Sequence, residues 1–460
     1  MNLNNLSSPP PKKSGFRTAL EFTGIPPSWF DKRPRLPSRN WLIFLSVTQS
    51  LIAYYAYDRR QSQNIRQDYV DRVKHLAEES LHSLDFPRTV TVCSAKWPGD
   101  DDWDRCPCSL VPIQPIFVAA AIDYTVIAGK RHGDLATHVA NDIKTARRAA
   151  LGLDPPPLPL LLVSKGTPEV RRRRTLDGGT VIIGRAAFKE YMTGVRRGWT
   201  ESLQRVDEDE RLSKELEGDG HFDDPEPSSD LLSDFADGEP LPTPSRLPPS
   251  RPPGIFSPFA TIRTPPPLSS LPTHDSDADV PTPTHIPLQP PLLPVPFVNL
   301  VGIKLVPLMI WDFFNERHKV RAGAEAAYKL ISCVKRPFER TDLDFDLSAE
   351  GYYKRSTAAI PADVQRAREG YYKALPEKLA TARALARGER EPTKLESEAP
   401  PPTEVELRAE RLKKEMRWRA DERGWELVRP EMPVEWDKLW EDALEVFVDP
   451  PAVRWDNQSA

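Results

Sequence analysis

Residues 180–195, Thr180-Val-Ile-Ile-Gly-Arg-Ala-Ala-Phe-Lys-Glu-Tyr-Met-Thr-Gly-Val195, carry the strongest indication of the fold. Thr180 to Ile183 is a short apolar run closed by Gly184, which is typical of a buried strand. Ala186 to Val195 follows with apolar residues at helical spacing. A buried strand joined directly to a helix is the repeating unit of α/β folds with parallel sheets.

The same alternation continues on both sides of this segment. Arg88 to Ser94 alternates polar and apolar residues and is rich in β-branched side chains, so it is predicted to be a strand. Val118 to Ala128 contains a second predicted strand, and a helix is predicted to open at Gly133. Leu160 to Val163 is another short apolar run. Strand, helix and strand in alternation predict an α/β fold with a mainly parallel sheet.

Residues 205–292 interrupt this pattern. An acidic stretch is followed by a tract dense in Pro, Ser and Thr, and the whole chain contains 50 prolines. Only 39% of the residues are hydrophobic, so part of the chain stays outside any core. A segment of this composition cannot bury enough apolar surface to offset the entropy of ordering it. We therefore expect a disordered linker between two parts of the α/β domain, 85–204 and 293–400.

Leu292 to Trp311 is apolar enough to be considered as a second membrane span. Its prolines and Lys304 argue against a span, because freed carbonyls and a charge are costly in hydrocarbon. We expect it instead to form buried strands that complete the sheet. Asp312 to Val334 is then predicted to be a helix.

The C-terminal segment, residues 401–460, is charged and rich in tryptophan. Thr403 to Arg423 is predicted to be a helix. Two interpretations of the tryptophans stay open, contact with a partner protein or packing onto the chain's own domain. The sequence Glu-Gly-Tyr-Tyr-Lys at 350–354 recurs at 369–373, and we expect two helical turns that pack tyrosines on similar surfaces. The five tryptophans are Trp418, Trp425, Trp436, Trp440 and Trp455.

Residues 41–57 contain no charged side chain. As a helix they would span about 25 Å, slightly less than the roughly 30 Å of a hydrocarbon core. Aromatic residues at both ends, with arginines beyond them, favour the two interfaces of a bilayer. We predict a transmembrane helix here and a helical stalk over 58–84; the alternative is a buried core helix. The membrane-anchoring residues would be Trp41, Leu42, Ile43, Phe44, Leu45, Val47, Leu51, Ile52, Tyr54, Tyr55 and Tyr57.

The charges of segment 1–40 predict the orientation of this helix. Seven basic residues precede it, against only Glu21 and Asp31. The positive-inside rule keeps such a segment on the negative side of the membrane, which is the cytosol or the mitochondrial matrix. The C-terminal bulk would then lie across the membrane. The apolar stretch begins too late for a secretory signal peptide, and no small-residue cleavage site closes it, so we expect an uncleaved anchor.

Motifs for metal binding and catalysis are weak. Cys106-Pro-Cys108 has a spacing unsuited to zinc, and His132 and His138 do not share a helix face. No Gly-x-Ser-x-Gly, His-Glu-x-x-His or Walker sequence occurs. We therefore expect no metal, no cofactor and no catalytic residue.

Two segments could in principle contact phosphate. Arg171 to Arg174 has the composition of a nucleic-acid patch, but a solvated loop is the simpler interpretation, and the net charge of −4 gives no general attraction to nucleic acid. Asp177-Gly-Gly-Thr180 lies before a strand and only Gly184 follows it. A phosphate cradle needs several backbone N–H groups after a strand. We expect neither a nucleic-acid partner nor a working phosphate site.

Six stretches of the sequence together resemble the fungal Tim54 family, the large subunit of the carrier translocase of the mitochondrial inner membrane. The resemblance runs from near residue 15 to the C-terminus, outside the Pro-rich linker. The stretches are Pro37–Leu42, Tyr57–Arg60, Ala119–Tyr124, Gly179–Arg185 with Phe188–Tyr191, Pro296–Asn299 and Leu379–Arg390.

This resemblance implies a non-catalytic scaffold, anchored in the inner membrane, with its N-terminus in the matrix and its bulk in the intermembrane space. It implies insertion of multispanning carrier proteins into that membrane. The implied partners are the channel subunit of the translocase, small chaperone complexes of the intermembrane space, carrier precursor proteins and inner-membrane lipid. The family is also associated with assembly of an inner-membrane protease. A structural protein of the endoplasmic reticulum with the same topology is an alternative that localisation would decide.

One stretch departs from the family. Between Asp104 and Pro115 the family has a basic amphipathic helix, whereas this chain has three prolines that cannot sit inside a helix. Either the crossover is irregular here, or the coding sequence was inferred with wrongly joined exons.

A fainter resemblance concerns the α/β part, whose order is similar to that of diacylglycerol-kinase-like lipid kinases. Those enzymes have a Gly-Gly-Asp-Gly loop between strand and helix, where this chain has only Gly184-Arg185. The resemblance implies a degenerate kinase fold that has lost its nucleotide loop. The alternative function is therefore a membrane-anchored lipid kinase of the diacylglycerol or acylglycerol kinase type, which would bind ATP near Gly184.

Overall fold

The structure is a computed structural model in which two compact units, residues 1–61 and 62–460, are distinguished. The residues described are 38–79, 87–100, 113–153, 168–205, 207–223, 283–353, 355–391 and 400–450.

The second unit is built on a mixed sheet of six strands within the described residues, in the order β2-β1-β3-β4-β6-β5. All neighbours run parallel except β5, which is antiparallel to β6 at one edge. The predicted α/β fold with a mainly parallel sheet is confirmed. The strands are β1 (Thr89–Ser94), β2 (Asp123–Ala128), β3 (Thr180–Ile183), β4 (Leu292–Val295), β5 (Lys335–Pro337) and β6 (Glu445–Phe447).

Ten α-helices accompany the sheet in the described part of the chain, together with short 3-10 helices between residues 303 and 359 and at 438–440. They are α1 (Arg39–Ala77), α2 (Gln114–Ala119), α3 (Asp134–Ala150), α4 (Pro168–Gly178), α5 (Gly184–Thr200), α6 (Glu208–Glu217), α7 (Val306–Phe314), α8 (Glu316–Ser332), α9 (Ile360–Arg387) and α10 (Glu404–Val428).

The central strand β3 divides the hydrophobic core between two faces, because successive side chains of a strand point to opposite sides. Ile182 packs with residues of α3 and α5 on one face. Val181 and Ile183 pack on the other face with residues of α2, α8 and the part of α1 after residue 61. Burial on both faces explains why residues 180–183 are apolar without alternation.

Helices α3 and α5 lie in close contact because α5 carries glycine where they meet. A Cβ atom at Gly194 would lie 2.8 Å from the carbonyl oxygen of Ala136, and one at Gly198 would lie 2.7 Å from Cβ of Ile143. Gly198 also accepts, through its carbonyl, a 2.7 Å hydrogen bond from the Nη1 of buried Arg147. These contacts fix α5 against the helix that follows β2.

The second strand lies within the predicted range 118–128, as Asp123–Ala128, after helix α2 has ended at Ala119. Two other expectations were wrong in detail. Residues 171–174 belong to helix α4 and not to a loop. The acidic stretch begins as helix α6, whose N-terminus is capped by the side chain of Asp207. The Asp207 cap is a local feature that composition alone does not reveal.

The apolar stretch 292–311 also differs from the expectation. Leu292–Val295 forms β4 in the sheet, as predicted, but the residues from 303 onward are helical and exposed. Pro307 near the start of α7 suits a helix N-terminus, where no N–H donor is required. Residues 101–112, 154–167, 224–282 and 451–460, which include most of the departing crossover, Leu160–Val163, most of the predicted linker and Trp455, lie outside the described residues. The last proline of the crossover, Pro115, lies in the first turn of α2, where a proline fits.

The C-terminal tryptophans pack on the chain's own residues. Trp440 is buried in the main core and stacks edge-on against Phe338. Trp418 and Trp425 are buried on α10. The tryptophans in the described residues therefore pack onto the chain's own domain, which was one of the two interpretations left open by the sequence.

The repeated Tyr-Tyr sequences adopt different structures. Tyr353 follows a 3-10 helix and joins the main core, whereas Tyr371 and Tyr372 lie in α9 and contact α10. Both copies pack their tyrosines, as expected, but on unlike surfaces.

In the first unit, α1 covers the predicted span, and all eleven predicted anchoring side chains are exposed. In the described part of the chain, no helix is apolar enough over sufficient length to cross a membrane. The transmembrane helix therefore stays a prediction.

Candidate functional site

The sheet order creates a topological switch point between β1 and β3. The chain passes from β1 to β2 on one side, and from β3 to β4 on the other. In doubly wound folds, ligands bind outside the carboxyl ends of the strands at such a point. The candidate site therefore consists of the segments that follow Ser94, Ile183 and Val295.

Three aromatic side chains fill this crevice. Trp97, which follows β1, is 2% exposed, and its ring lies edge-on to Phe297, 5.8 Å between centroids, and to Tyr353, 5.1 Å. Phe297 follows β4 and lies against Gly184, where a Cβ atom would be 3.3 Å from the Cβ of Phe297. Gly184 has a φ of +79°, which suits the sharp turn from β3 into α5. We call Trp97, Phe297 and Tyr353 the aromatic plug.

Buried charges lie beneath the plug at the start of α5. The Glu350 carboxylate is 2.8 Å from Nε of Arg185 and 2.7 Å from Nζ of Lys189. Arg185 also donates to the carbonyl of Phe345, and Lys189 donates to that of Arg429. Burial lowers the pKa of Lys189, while Glu350 opposes that shift. The cations Arg185 and Lys189 beside β3 are thus paired with Glu350 of the chain itself, and an anionic ligand would have to displace this carboxylate.

A second buried carboxyl group lies at the helix that follows β2. Glu190 on α5 accepts a 3.1 Å hydrogen bond from the backbone N–H of Leu135, in the first turn of α3. Burial raises the pKa of Glu190 to about 8. The N-terminus of α3, where backbone N–H groups could bind a phosphate group, is therefore occupied by the Glu190 side chain.

The residues singled out in the sequence have structural roles here. A Cβ atom at Gly178 would lie within van der Waals overlap of the Thr89 carbonyl, and Gly179, with a φ of +84°, lies against Phe447. The double glycine therefore allows close packing between strands. His132 contacts Trp425 at 5.9 Å, and burial lowers its pKa to about 4. Within the described ranges, no group of three or more His, Cys, Asp or Glu side chains could hold a metal ion.

A polar cleft of about 860 Å³ opens between α3, α5, α6 and α10. Its walls carry ion pairs, with Lys144 at 2.6 Å and Arg197 at 2.7 Å from the Glu201 carboxylate. Arg423 pairs with Glu208 at 3.4 Å. The lining as a whole carries six Lys and Arg side chains against three Asp and Glu, so the cleft keeps an excess of positive charge beyond these pairs.

Sequence reasoning missed the plug and both buried carboxyl groups. One signal was present, since Arg185, Lys189 and Glu190 interrupt the otherwise apolar stretch 184–192 at the start of α5. Charged residues in such a helix are usually buried with partners. The partner Glu350 lies 165 residues away and could not be identified from spacing.

The fold and site together define a doubly wound α/β protein whose usual ligand crevice is closed by its own side chains. Comparison with known proteins gives the family. A profile of the family described as "Inner membrane protein import complex subunit Tim54" matches residues 18–417. The chain belongs to this Tim54 family of inner-membrane protein import complex subunits.

Individual relatives agree with this assignment. A protein of Cryptococcus neoformans var. neoformans serotype D, named mitochondrial import inner membrane translocase subunit TIM54, is 38% identical over 96% of this chain and 96% of its own length. Relatives of the same name from Candida albicans and Saccharomyces cerevisiae are 26% and 25% identical, over 72% and 74% of this chain and 87% of each relative. The resemblance seen in the sequence is thereby confirmed.

Proposed function

We propose that this chain is a non-catalytic scaffold subunit of the mitochondrial inner-membrane translocase that inserts multispanning carrier proteins. The observation that carries the non-catalytic part is the closed crevice. The aromatic plug and Glu350 fill the place where a doubly wound fold holds its ligand. Binding to other proteins must then use outer surfaces of the domain.

Residues 41–57 would anchor this scaffold as a single membrane span. The aromatic and basic flanks of the segment support the proposal, as does the exposure of its apolar side chains in α1. The basic segment 1–40 would stay in the matrix, and residues 58–460 would lie in the intermembrane space. The proposed partners are the channel subunit, the small chaperone complexes, carrier precursors, inner-membrane lipid and an inner-membrane protease.

The lipid-kinase alternative has no support from the site. A kinase must leave room for nucleotide phosphates after β3, and there Phe297 lies against Gly184. The alternative would be revived by saturable ATP binding to the purified full-length chain, measured by thermal shift and by ATP crosslinking.

Carbonate extraction and protease protection of isolated mitochondria test the anchor. We expect the chain to stay with the membrane in carbonate, and a C-terminal tag to be digested once the outer membrane is opened. Replacement of Leu45 and Leu51 by lysine should release the chain into the supernatant, because a charge at mid-bilayer costs about 3 kcal/mol. Release of the unaltered chain, or a protected C-terminus, would contradict the proposal.

A matched control uses apolar side chains that are equally exposed but lie outside the span. Val118 and Leu151 are 64% and 53% exposed, against 46% and 50% for Leu45 and Leu51. Lysine at Val118 and Leu151 should leave carbonate resistance unchanged.

Photo-crosslinking during import tests the role in carrier insertion. A photoreactive amino acid placed on exposed positions of the domain, such as Val405, should give adducts with a carrier precursor, the channel subunit or the chaperones. Normal insertion of carriers into mitochondria depleted of this chain would show that the proposed role is wrong.

A further inference from the structure

Helix α7 is apolar on every side and exposed. None of its nine residues is buried. Leu308 and Met309 are 42% and 44% exposed, and Ile310 and Trp311 are 54% and 66% exposed. Successive helical residues point about 100° apart, so these four side chains surround the helix. A helix that packed one face onto its own domain would hide one of them.

This concentration of exposed apolar surface is unusual in the second unit. Elsewhere in its described residues, large apolar side chains are exposed singly, as at Leu151 and Val405. Scattered exposure of this kind is normal in folded proteins. The segment 303–313 instead exposes seven such side chains among its eleven residues, and contiguous apolar surface marks an interaction site. They are Ile303, Val306, Leu308, Met309, Ile310, Trp311 and Phe313.

The charges around α7 indicate the nature of its partner. The one acidic residue within the helix, Asp312, is 2.8 Å from Nζ of Lys319. Glu316, just after the helix, pairs with Arg66 at 3.5 Å. Basic residues lie on both flanks, with Lys304 before α7 and further basic residues after it. A neutralised apolar helix with basic flanks complements an anionic lipid surface, where Trp side chains also prefer to lie.

The length of α7 determines how it could meet a bilayer. Nine helical residues extend about 14 Å, less than half of a hydrocarbon core of roughly 30 Å. The helix cannot span the membrane, so it would enter only the outer part of one leaflet.

The chain also brings α7 within reach of the proposed span. Arg66, which pairs with Glu316 beside α7, follows Tyr57 by nine residues. Nine residues reach at most about 30 Å even when fully extended. If residues 41–57 cross the membrane, as the proposed function holds, the Arg66–Glu316 pair at the α7–α8 junction lies no more than about 30 Å from the end of that span.

We propose that α7 is an interfacial anchor, which inserts its apolar side chains among the headgroups of an anionic bilayer. This inference rests on the proposed function for the position of the membrane. It adds a second lipid contact to the single span, and two contacts limit the rotation of the α/β domain about the span.

Depth-dependent quenching in proteoliposomes tests the proposal. The full-length chain, with Cys93, Cys106, Cys108 and Cys333 replaced by serine, is labelled with an environment-sensitive dye on a new cysteine. The informative label replaces Ile310, and the matched control replaces Val405, which is 76% exposed on α10. The vesicles contain phosphatidylcholine with or without phosphatidylglycerol, and the quencher is a doxyl group on the acyl chain.

We expect several-fold stronger quenching at Ile310→Cys than at Val405→Cys, and stronger quenching in the anionic vesicles than in the neutral ones. Replacing Leu308 and Trp311 by glutamate should abolish the quenching at position 310. Equal quenching at positions 310 and 405, or self-quenching between labelled copies at 310 that shows a dimer contact, would overturn the proposal.

A label at Ile52→Cys separates this inference from the proposed function. Quenching at 52 but not at 310 would leave the span intact and refute only the interfacial anchor. Absence of quenching at 52 would refute the proposed span itself. In isolated mitochondria, a photoreactive residue at 310 that crosslinks to a translocase subunit and not to lipid would identify a protein as the occupant and overturn the proposal.

Discussion

Glu190 titrates far from the range of an ordinary carboxyl group. Burial raises its pKa to about 8 from a usual value near 4.5, although backbone hydrogen bonds from the start of α3 oppose the shift. At pH values between 4.5 and about 8, this carboxyl group is protonated in the folded state and largely ionised in the unfolded state. Stability contributed by this group is therefore greatest at low pH and falls as pH rises towards the folded pKa.

Replacing Glu190 with glutamine should remove this dependence. We expect the wild-type chain to lose about 1 kcal/mol of unfolding free energy between about pH 7 and about pH 8.5, and Glu190→Gln to lose little. His132, whose pKa is lowered to about 4 from 6.5, changes stability only below that window. Urea unfolding at several pH values measures the effect, and identical pH slopes in both chains would contradict the assignment.

The buried cluster of Arg185, Lys189 and Glu350 gives a second prediction. Glu350→Gln leaves two cations without their carboxylate, which should destabilise the fold by about 3 kcal/mol. Lys189→Met removes one cation and leaves the 2.8 Å contact of Arg185 with Glu350. Urea unfolding should therefore show a smaller loss for Lys189→Met; a larger one would mean that the lysine contacts dominate.

At the scale of secondary-structure elements, the close contact between α3 and α5 depends on glycines, which have no side chain. Gly198→Ala places a methyl group 2.7 Å from Cβ of Ile143. Overpacking of this kind should cost about 1–3 kcal/mol. Thermal unfolding by circular dichroism measures the loss.

Gly370→Ala is the matched control, since it lies in helix α9 with nothing within 4 Å of the added methyl group. Alanine is favoured over glycine in a helix by about 1 kcal/mol, so this variant should be neutral or more stable. If Gly198→Ala and Gly370→Ala change the thermal stability equally, α3 and α5 move apart more easily than the distances imply.

At the scale of the whole molecule, we predict that the basic residues of segment 1–40 determine which way the chain crosses the membrane. Replacing Lys32, Arg33, Arg35 and Arg39 with glutamine weakens the bias that keeps the N-terminus in the matrix. We expect a C-terminal tag, digested in the wild type after the outer membrane is opened, to become partly protected. The control replaces Arg387, Arg390, Lys413 and Arg417, far from the span in sequence, and should leave digestion complete.

Much of the fold could be predicted from local sequence. The β-branched or apolar runs at 89–94 and 180–183, the helix from Asp134 and the helix capped by Thr403 are all found where their patterns place them. These features depend on neighbours along the chain, so periodicity and capping residues are sufficient. The stretch 303–314 was misjudged because an apolar run of that length fits a buried strand as well as an exposed helix.

The closing of the crevice, in contrast, was decided only by tertiary structure. Trp97, Phe297 and Tyr353 come from three distant parts of the chain and meet only because β1 and β4 flank β3. Glu350 likewise reaches Arg185 across 165 residues. The sequence by itself determined the α/β class, the family resemblance and the charge asymmetry, because each is local or additive along the chain. Whether the ligand edge is open depends on long-range packing, which no local pattern encodes.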